Sequence, residues 1–268
     1  MTSLRIMLQM KIDAKMSSLV SWHWHKAGFD EQWKYLSEQL NSGKSQGETI
    51  WQTRFKDVQL LDVPGENGGY RVAYKNYEEK RFWRYFLHPS LAAREAKGFE
   101  VVKSLGIPAA EVLAFGEIRK FFNLKRAYFV TRFEENTETL LYFIGHPQEH
   151  ETLLALLKEN IRYLAGLHAA NYIHGGAHPR NILFRRHENG TLESIWIDLA
   201  SLREAGTGKR YWKYILTDLS DFTEAFRLTQ VELDMLIAEY RKIHDIPVAY
   251  KIRTDHERKF SEAFLLKP

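Results

Sequence analysis

His174-Gly175-Gly176-Ala177-His178-Pro179-Arg180-Asn181-Ile182-Leu183 and, past the turn residues Glu188-Asn189-Gly190, Ser194-Ile195-Trp196-Ile197-Asp198 form the segment around which this chain is organised. A loop rich in glycine and histidine closes on Asn181. Two short apolar runs, 181–184 and 194–198, then flank a turn, which is the pattern of a hairpin ending on a carboxylate. Upstream, Leu153, Leu157, Ile161, Leu164 and His168 recur at helical spacing in a long segment that starts near Pro147. Downstream, two further helices are expected, the second opened by Thr229 with Glu232 three residues later, a capping box. Asp218, in the helix that follows the hairpin, is expected to brace the loop.

Before Glu134-Glu135-Asn136 the period is different. From Thr49 apolar residues alternate, so Ile50–Phe55 and Val58–Val63 read as strands joined by a tight turn at Lys56-Asp57. The reverse turn Pro64-Gly65-Glu66-Asn67-Gly68-Gly69 leads into a third strand, Tyr70–Tyr77, which carries Lys75. A helix beginning near His88-Pro89-Ser90 carries Glu95 and an apolar face of Leu91, Phe99, Val102 and Leu105. It ends at Gly106, and Pro108 prevents resumption. Two more strands are expected at 112–116 and 127–133. The organisation that follows is a segment and linker over 1–46, a small β-rich lobe over 47–135 and a mainly helical lobe over 136–268, an α+β chain. Within the first segment, Gly43-Lys44-Ser45 lacks the earlier glycine and preceding strand of a phosphate loop. Trp22-His23-Trp24-His25, two histidines at i, i+2 with no carboxylates nearby in sequence, reads as packing or surface rather than a metal clip.

Taken singly, Lys75, Glu95, Asn181 and Asp198 have ordinary readings: a solvated strand lysine, a helix carboxylate, a turn asparagine and a strand-end cap. Their order, a strand lysine, then a helix glutamate, then a loop asparagine, then a hairpin-end aspartate, resembles that of the phosphoryl-transfer parts of the two-lobed protein-kinase fold. That resemblance implies Lys75 on nucleotide phosphates, Glu95 holding it, and Asn181 and Asp198 as oxygen ligands for Mg²⁺, a hard cation. It narrows further. Leu91–Phe99, Leu105-Gly106-Ile107-Pro108, Ala114-Phe115-Gly116-Glu117 and Tyr214-Ile215-Leu216-Thr217-Asp218-Leu219 resemble the bacterial lipopolysaccharide core kinases, which include heptose and Kdo kinases; the resemblance covers about Trp51 to Tyr240. It implies a cytoplasmic, ATP- and Mg²⁺-dependent enzyme that phosphorylates an inner-core sugar of a lipid-linked acceptor.

Two departures qualify the expectation. No glycine-rich phosphate loop is visible, since the Lys56-Asp57 turn occupies its place. In related loops, which read His-Gly-Asp-Leu-His, the catalytic aspartate stands five residues before the asparagine, and here that position is Gly176. Glycine has no group to take the acceptor's proton, and general-base help is worth roughly 10²–10⁴-fold. His178 is the nearest titratable residue, either a surrogate base or a residue hydrogen-bonded within the loop. The alternatives to a working core-sugar kinase are therefore a nucleotide-binding pseudokinase or scaffold of the same pathway, or a kinase-like phosphotransferase for another substrate.

Composition sets the outer limits. Cysteine is absent, which excludes disulfides, zinc–thiolate sites and thiol nucleophiles. A net charge of +4 is a mild basic bias, so nucleic acid is not an expected partner. No run approaches the ~20 apolar residues that span a bilayer. Arg5, Lys11, Asp13 and Lys15 interrupt every apolar core of a signal peptide. The basic-aromatic stretches Lys80–Phe86 and Lys209–Tyr214 suit either simple packing with solvated charges or an anionic, peripheral inner-membrane surface.

Overall fold

The computed structural model describes residues 9–12, 19–41, 47–53, 56–65, 69–78, 85–86, 88–120 and 123–245. The chain divides into two compact units, one within 1–97 and 110–135, the other within 98–109 and 136–268. Residues 98–109, counted with the β-rich lobe on sequence grounds, thus fall in the second unit. Residues 42–46 of the linker expected over 41–47, and all but Tyr85 and Phe86 of the 80–86 stretch, lie outside the described residues.

The first unit is built on one antiparallel sheet. Its strands are β1 (Gln9–Ile12), β2 (Leu19–His25), β3 (Glu48–Gln52), β4 (Lys56–Val63), β5 (Tyr70–Glu78), β6 (Val112–Lys120) and β7 (Asn123–Arg132), in the order β1-β2-β6-β7-β5-β4-β3. Helix α1 (Asp30–Asn41) contributes Phe29, just before it, Trp33 and Leu36 to a core with Leu61, Val63, Val72, Tyr74, Leu113, Tyr128 and Val130. The N-terminal segment is therefore not only a lead-in: β2 pairs with β6 along seven residues, and α1 covers one sheet face. Of the expected packing or surface role at 22–25, packing holds for His23 and His25, whose rings lie against Trp33 at 5.1 and 6.3 Å, but a carboxylate is near after all: His25 Nε2 lies 3.9 Å from Asp30. Lys56 and Asp57 do not form the expected turn. They pair with Tyr77 and Asn76 inside β4, and the reversal comes earlier, where the Thr53 amide donates to the Lys56 carbonyl. The residues alternate faces here, so extending the ladder satisfies more backbone groups than a turn would.

Helix α2 (Leu91–Ser104) starts where Ser90 Oγ accepts from the Ala93 amide and stops at Gly106, whose φ of +70° favours glycine. The Ile107 amide reaches back to the Val102 carbonyl, closing the helix end. Leu105 lies beyond the helix and is 38% exposed, so it does not join the apolar face assigned to it.

In the second unit, α3 (His150–Ala169) buries Leu153, Leu157, Ile161, Leu164 and His168, as the spacing predicts. A short strand β8 (Thr137–Thr139) pairs with β10 (Ile182–Arg186), which pairs in turn with β11 (Leu192–Trp196), the expected hairpin. Two-residue strands β9 (Tyr172–Ile173) and β12 (Arg203–Glu204) pair with each other on either side of that hairpin in sequence. Asn160 of α3 is fully buried yet satisfied. It donates to Ser194 Oγ and the Leu156 carbonyl and accepts from Trp196 Nε1, each at 2.8 Å. Helices α4 (Lys209–Thr223) and α5 (Gln230–Arg241) follow, and Thr229 and Glu232 form the capping box.

Candidate active site

Lys75 sits on β5 opposite Val58 of β4 and Phe129 of β7, inside the sheet rather than on a solvated face. It is 9% exposed, and its Nζ donates to Glu95 Oε1 at 2.5 Å. Glu95 is fully buried on α2, and its second oxygen accepts from the hydroxyl of Tyr77 at 2.5 Å. A buried carboxylate needs both charge and hydrogen bonds to compensate for lost water, and Lys75 and Tyr77 each donate to one of its oxygens. Sequence reading overlooked Tyr77. The available signal was its place two residues after Lys75, which puts both side chains on one face of the strand.

In the second unit the loop between β9 and β10 is held from below by Asp218 of α4. Its Oδ2 accepts from the His174 amide at 2.6 Å and its Oδ1 from the Gly175 amide at 2.8 Å, the bracing expected of it. Burial pushes the Asp218 carboxyl upward, but hydrogen bonding and charge from His168, aided by His174, outweigh it and hold it below its ordinary value. His168 lies 3.2 Å from Asp218 through Nε2 and 2.8 Å from the Tyr240 hydroxyl through Nδ1. Because the carboxylate only accepts, the Nε2–H of His168 donates. His174 is fully buried against Trp196, and neither of its ring nitrogens has a hydrogen-bond partner. Burial lowers its pKa against the opposing charges of Asp218 and Asp198, which favours the neutral ring.

Asn181 ends a single 3₁₀ turn (Pro179–Asn181). Its side-chain Nδ2 donates to the Gly176 carbonyl at 2.9 Å, which leaves Oδ1 as an acceptor. The Ile197 amide donates to the Asn181 carbonyl at 2.9 Å, so the backbone ties Asn181 to the residue preceding Asp198. Asp198 follows β11 with φ of +59°, a left-handed conformation that costs a non-glycine residue energy. Such strain is characteristic of positions held for function. The structure thus brings together Lys75 with Glu95, and Asn181 with the strand end bearing Asp198.

Gly176 is open: a Cβ placed there meets nothing within 4 Å. His178 does not fill the gap as a loop-bonded residue. Its Nε2 lies 3.9 Å from Asp221 and its Nδ1 4.0 Å from Glu224, both at the C-terminal end of α4. One ligand atom from each of these three residues falls within 4.8 Å of the others. The i, i+3 spacing of Asp221 and Glu224 was the signal for this grouping. In the Lys209–Tyr214 stretch the rings pack: the Tyr211 hydroxyl donates to the His168 carbonyl, Trp212 stacks on His244, and Arg203 lies over Tyr214, while Arg210 and Lys213 stay exposed. Among the described residues no helix is long and apolar enough to cross a membrane.

The family model described as "Lipopolysaccharide kinase (Kdo/WaaP) family" matches residues 66–240. A solved structure, "WaaP in complex with acyl carrier protein", is similar with a TM-score of 0.60 at 17% identity. The match covers 82% of this chain and 88% of that one, and at that identity it is a likeness of kinase-like fold. No curated protein matches the chain.

Proposed function

We infer that this chain, which belongs to the lipopolysaccharide kinase (Kdo/WaaP) family, transfers the γ-phosphate of ATP to a heptose or Kdo hydroxyl of the lipid A–core acceptor. The observation that carries the reading is the buried Lys75–Glu95 pair, completed by Tyr77. A lysine held that rigidly at 9% exposure suits a fixed dense anion better than general solvation. Asn181 Oδ1 and the Asp198 carboxylate are hard oxygen donors and fit Mg²⁺, which when bound offsets charge on the phosphates. Lys75 orients the phosphates, Glu95 and Tyr77 orient Lys75, and Asp218 fixes the loop through two backbone amides.

Proton removal is the weak link. Position 176 has no carboxylate, so the acceptor hydroxyl loses its proton with little assistance and turnover is slow. A second reading, a nucleotide-binding pseudokinase of the same pathway, is favoured by that same observation. Among the described side chains of 209–214, Arg210 and Lys213 are exposed cations that can meet an anionic membrane surface, while the rings between them are used in packing.

Phosphate transfer from labelled ATP to purified core lipopolysaccharide separates the readings. The native chain should transfer slowly, Asp198→Ala not at all, and Gly176→Asp about 10²-fold faster or more, the magnitude of general-base catalysis. A Cβ at Gly176 meets nothing within 4 Å, so the substitution begins without a clash at that atom. Loss of the residual activity in His178→Ala would assign that activity to His178. No transfer by either the native or the Gly176→Asp protein, with ATP still bound, would favour the pseudokinase.

A further inference from the structure

We propose that Arg203 binds an anionic group of the sugar acceptor, a carboxylate or a phosphate, beside the loop that receives the acceptor hydroxyl; this rests on the reading of residues 174–181 as that loop. The first observation is how closely the fold sets Arg203 on the loop. Arg203 stands on β12 directly opposite Ile173 of β9, the residue before His174. The Ala205 amide extends this pairing by donating to the Asn171 carbonyl at 2.8 Å. A Cβ at Gly175 would lie 2.7 Å from Arg203 Nη1 and 2.9 Å from the Ser201 carbonyl oxygen. The segment bearing Arg203 therefore comes as near the loop as glycine alone allows. The next residue is Gly176, the position at which related loops carry their base.

The second observation is how the guanidinium is held. It is exposed, it lies over the Tyr214 ring of α4 at 4.9 Å, and its Nη1 donates to the Ser201 carbonyl at 3.1 Å. Both contacts steady the planar group, and neither neutralises it. Glu204, the next residue of the short strand, alternates to the opposite face. Among the described residues no carboxylate pairs with Arg203, and Nε and Nη2 have no protein acceptor. Those two nitrogens form the fork that grips a carboxylate or phosphate through parallel hydrogen bonds. Kdo is a sugar acid, so one of the two acceptor sugars carries such a group itself.

The third observation is the charge pattern around the loop. Elsewhere Arg119, Arg132, Arg162, Arg185 and Arg186 are each ion-paired with a carboxylate. Beside the loop the pattern reverses. Arg180 in the 3₁₀ turn and Arg210 and Lys213 on α4 are exposed and, like Arg203, have no carboxylate partner among the described residues. Helix α4 packs against both β9 and that turn, so these cations share the surroundings of one loop. Clustered charge of one sign draws an anion toward the site, and the fixed fork of Arg203 gives it a place to bind.

The test is calorimetric binding of deacylated core oligosaccharide, bearing both Kdo and phosphate, to the full chain and to Arg203→Ala and Arg203→Lys. The titrations are repeated with oligosaccharide whose carboxyls are reduced, whose phosphates are removed, or both. Mg²⁺-ATP and phosphatidylglycerol vesicles serve as controls. Arg203→Ala should weaken the untreated oligosaccharide by about tenfold, the usual worth of a charge-assisted contact, and Arg203→Lys should recover part of the loss. Mg²⁺-ATP binding should not change. The doubly treated oligosaccharide should bind the native and Arg203→Ala proteins equally, and the single treatment that removes the difference identifies the anion. An equal loss for the doubly treated oligosaccharide would make Arg203 a prop of the loop, and a loss confined to the vesicles would assign it to a membrane surface; either result overturns the inference. If the native chain binds the oligosaccharide and Arg203→Ala binds it as well, the inference alone fails. A native chain that binds Mg²⁺-ATP and no oligosaccharide overturns the acceptor reading with it.

Discussion

The His174 ring lies against an indole in a braced loop, with no hydrogen-bond partner for either ring nitrogen, and that environment has a consequence in pH. Its folded-state pKa is lowered below 6.5, so the unfolded chain binds its proton first as pH falls. The stability that His174 allows is therefore complete above pH 6.5 and declines as pH drops below it. Asp218 works in the same direction but lower: its depressed carboxyl contributes stability above the ordinary carboxylate range, lost as pH falls through the folded value. Urea unfolding of native and His174→Leu proteins between pH 7.5 and 5 should show a shallower slope for the variant. His244, whose pKa burial also lowers, leaves a residual slope in both. Equal slopes would show that His174 is not buried neutral. Neither pKa was readable from the sequence. The pattern shows a histidine in a loop, while its burial comes from Trp196, which lies on a strand beyond the loop.

Helix α2 contains a glycine at an interior position, Gly98, where helix propensity alone favours alanine by about 1 kcal/mol. Packing reverses that preference. A Cβ at Gly98 would lie 2.6 Å from the Leu199 carbonyl oxygen and 2.9 Å from its Cβ, and a backbone atom yields far less than a flexible side-chain tip. Gly98→Ala should therefore destabilise the protein by about 1–3 kcal/mol, the ordinary range for overpacking. Chemical denaturation measures it, and a stabilised variant would mean that α2 does not approach the residue after Asp198 so closely. The element itself was legible: the Ser90 start, Glu95 and the Gly106 stop all lie in its own sequence. The contact that makes Gly98 necessary was not, because Leu199 is about a hundred residues away. The turn at 56–57 was misplaced for the opposite reason. Lys and Asp are poor strand formers by local preference, and the ladder with Tyr77 and Asn76 overrides that preference.

Ligand binding tests the molecule entire. Anything that binds the folded state alone stabilises it, by about 2.7 kcal/mol at a hundredfold excess over Kd. Millimolar Mg²⁺-ATP should raise the melting temperature of the native chain, and Lys75→Ala or Asp198→Ala should abolish the shift. A native melting curve unmoved by Mg²⁺-ATP, together with no heat of binding, would refute the nucleotide site. The kinase-like fold was recoverable without coordinates because its parts are local signals in a fixed order: a strand lysine, a helix glutamate, a loop asparagine and a hairpin-end aspartate. The expectation that Gly176 stands where a base is missing came instead from the resemblance to the family's loop, and the proposed Gly176→Asp variant tests it. Tertiary structure alone decided the rest. It put the N-terminal β2 and α1 onto the sheet, joined Tyr77 to Glu95, and set Asp221 and Glu224 beside His178. Those are pairings across distant segments. Periodicity and caps report what a residue does for its own helix or strand, whereas strand register and burial are fixed by partners far along the chain.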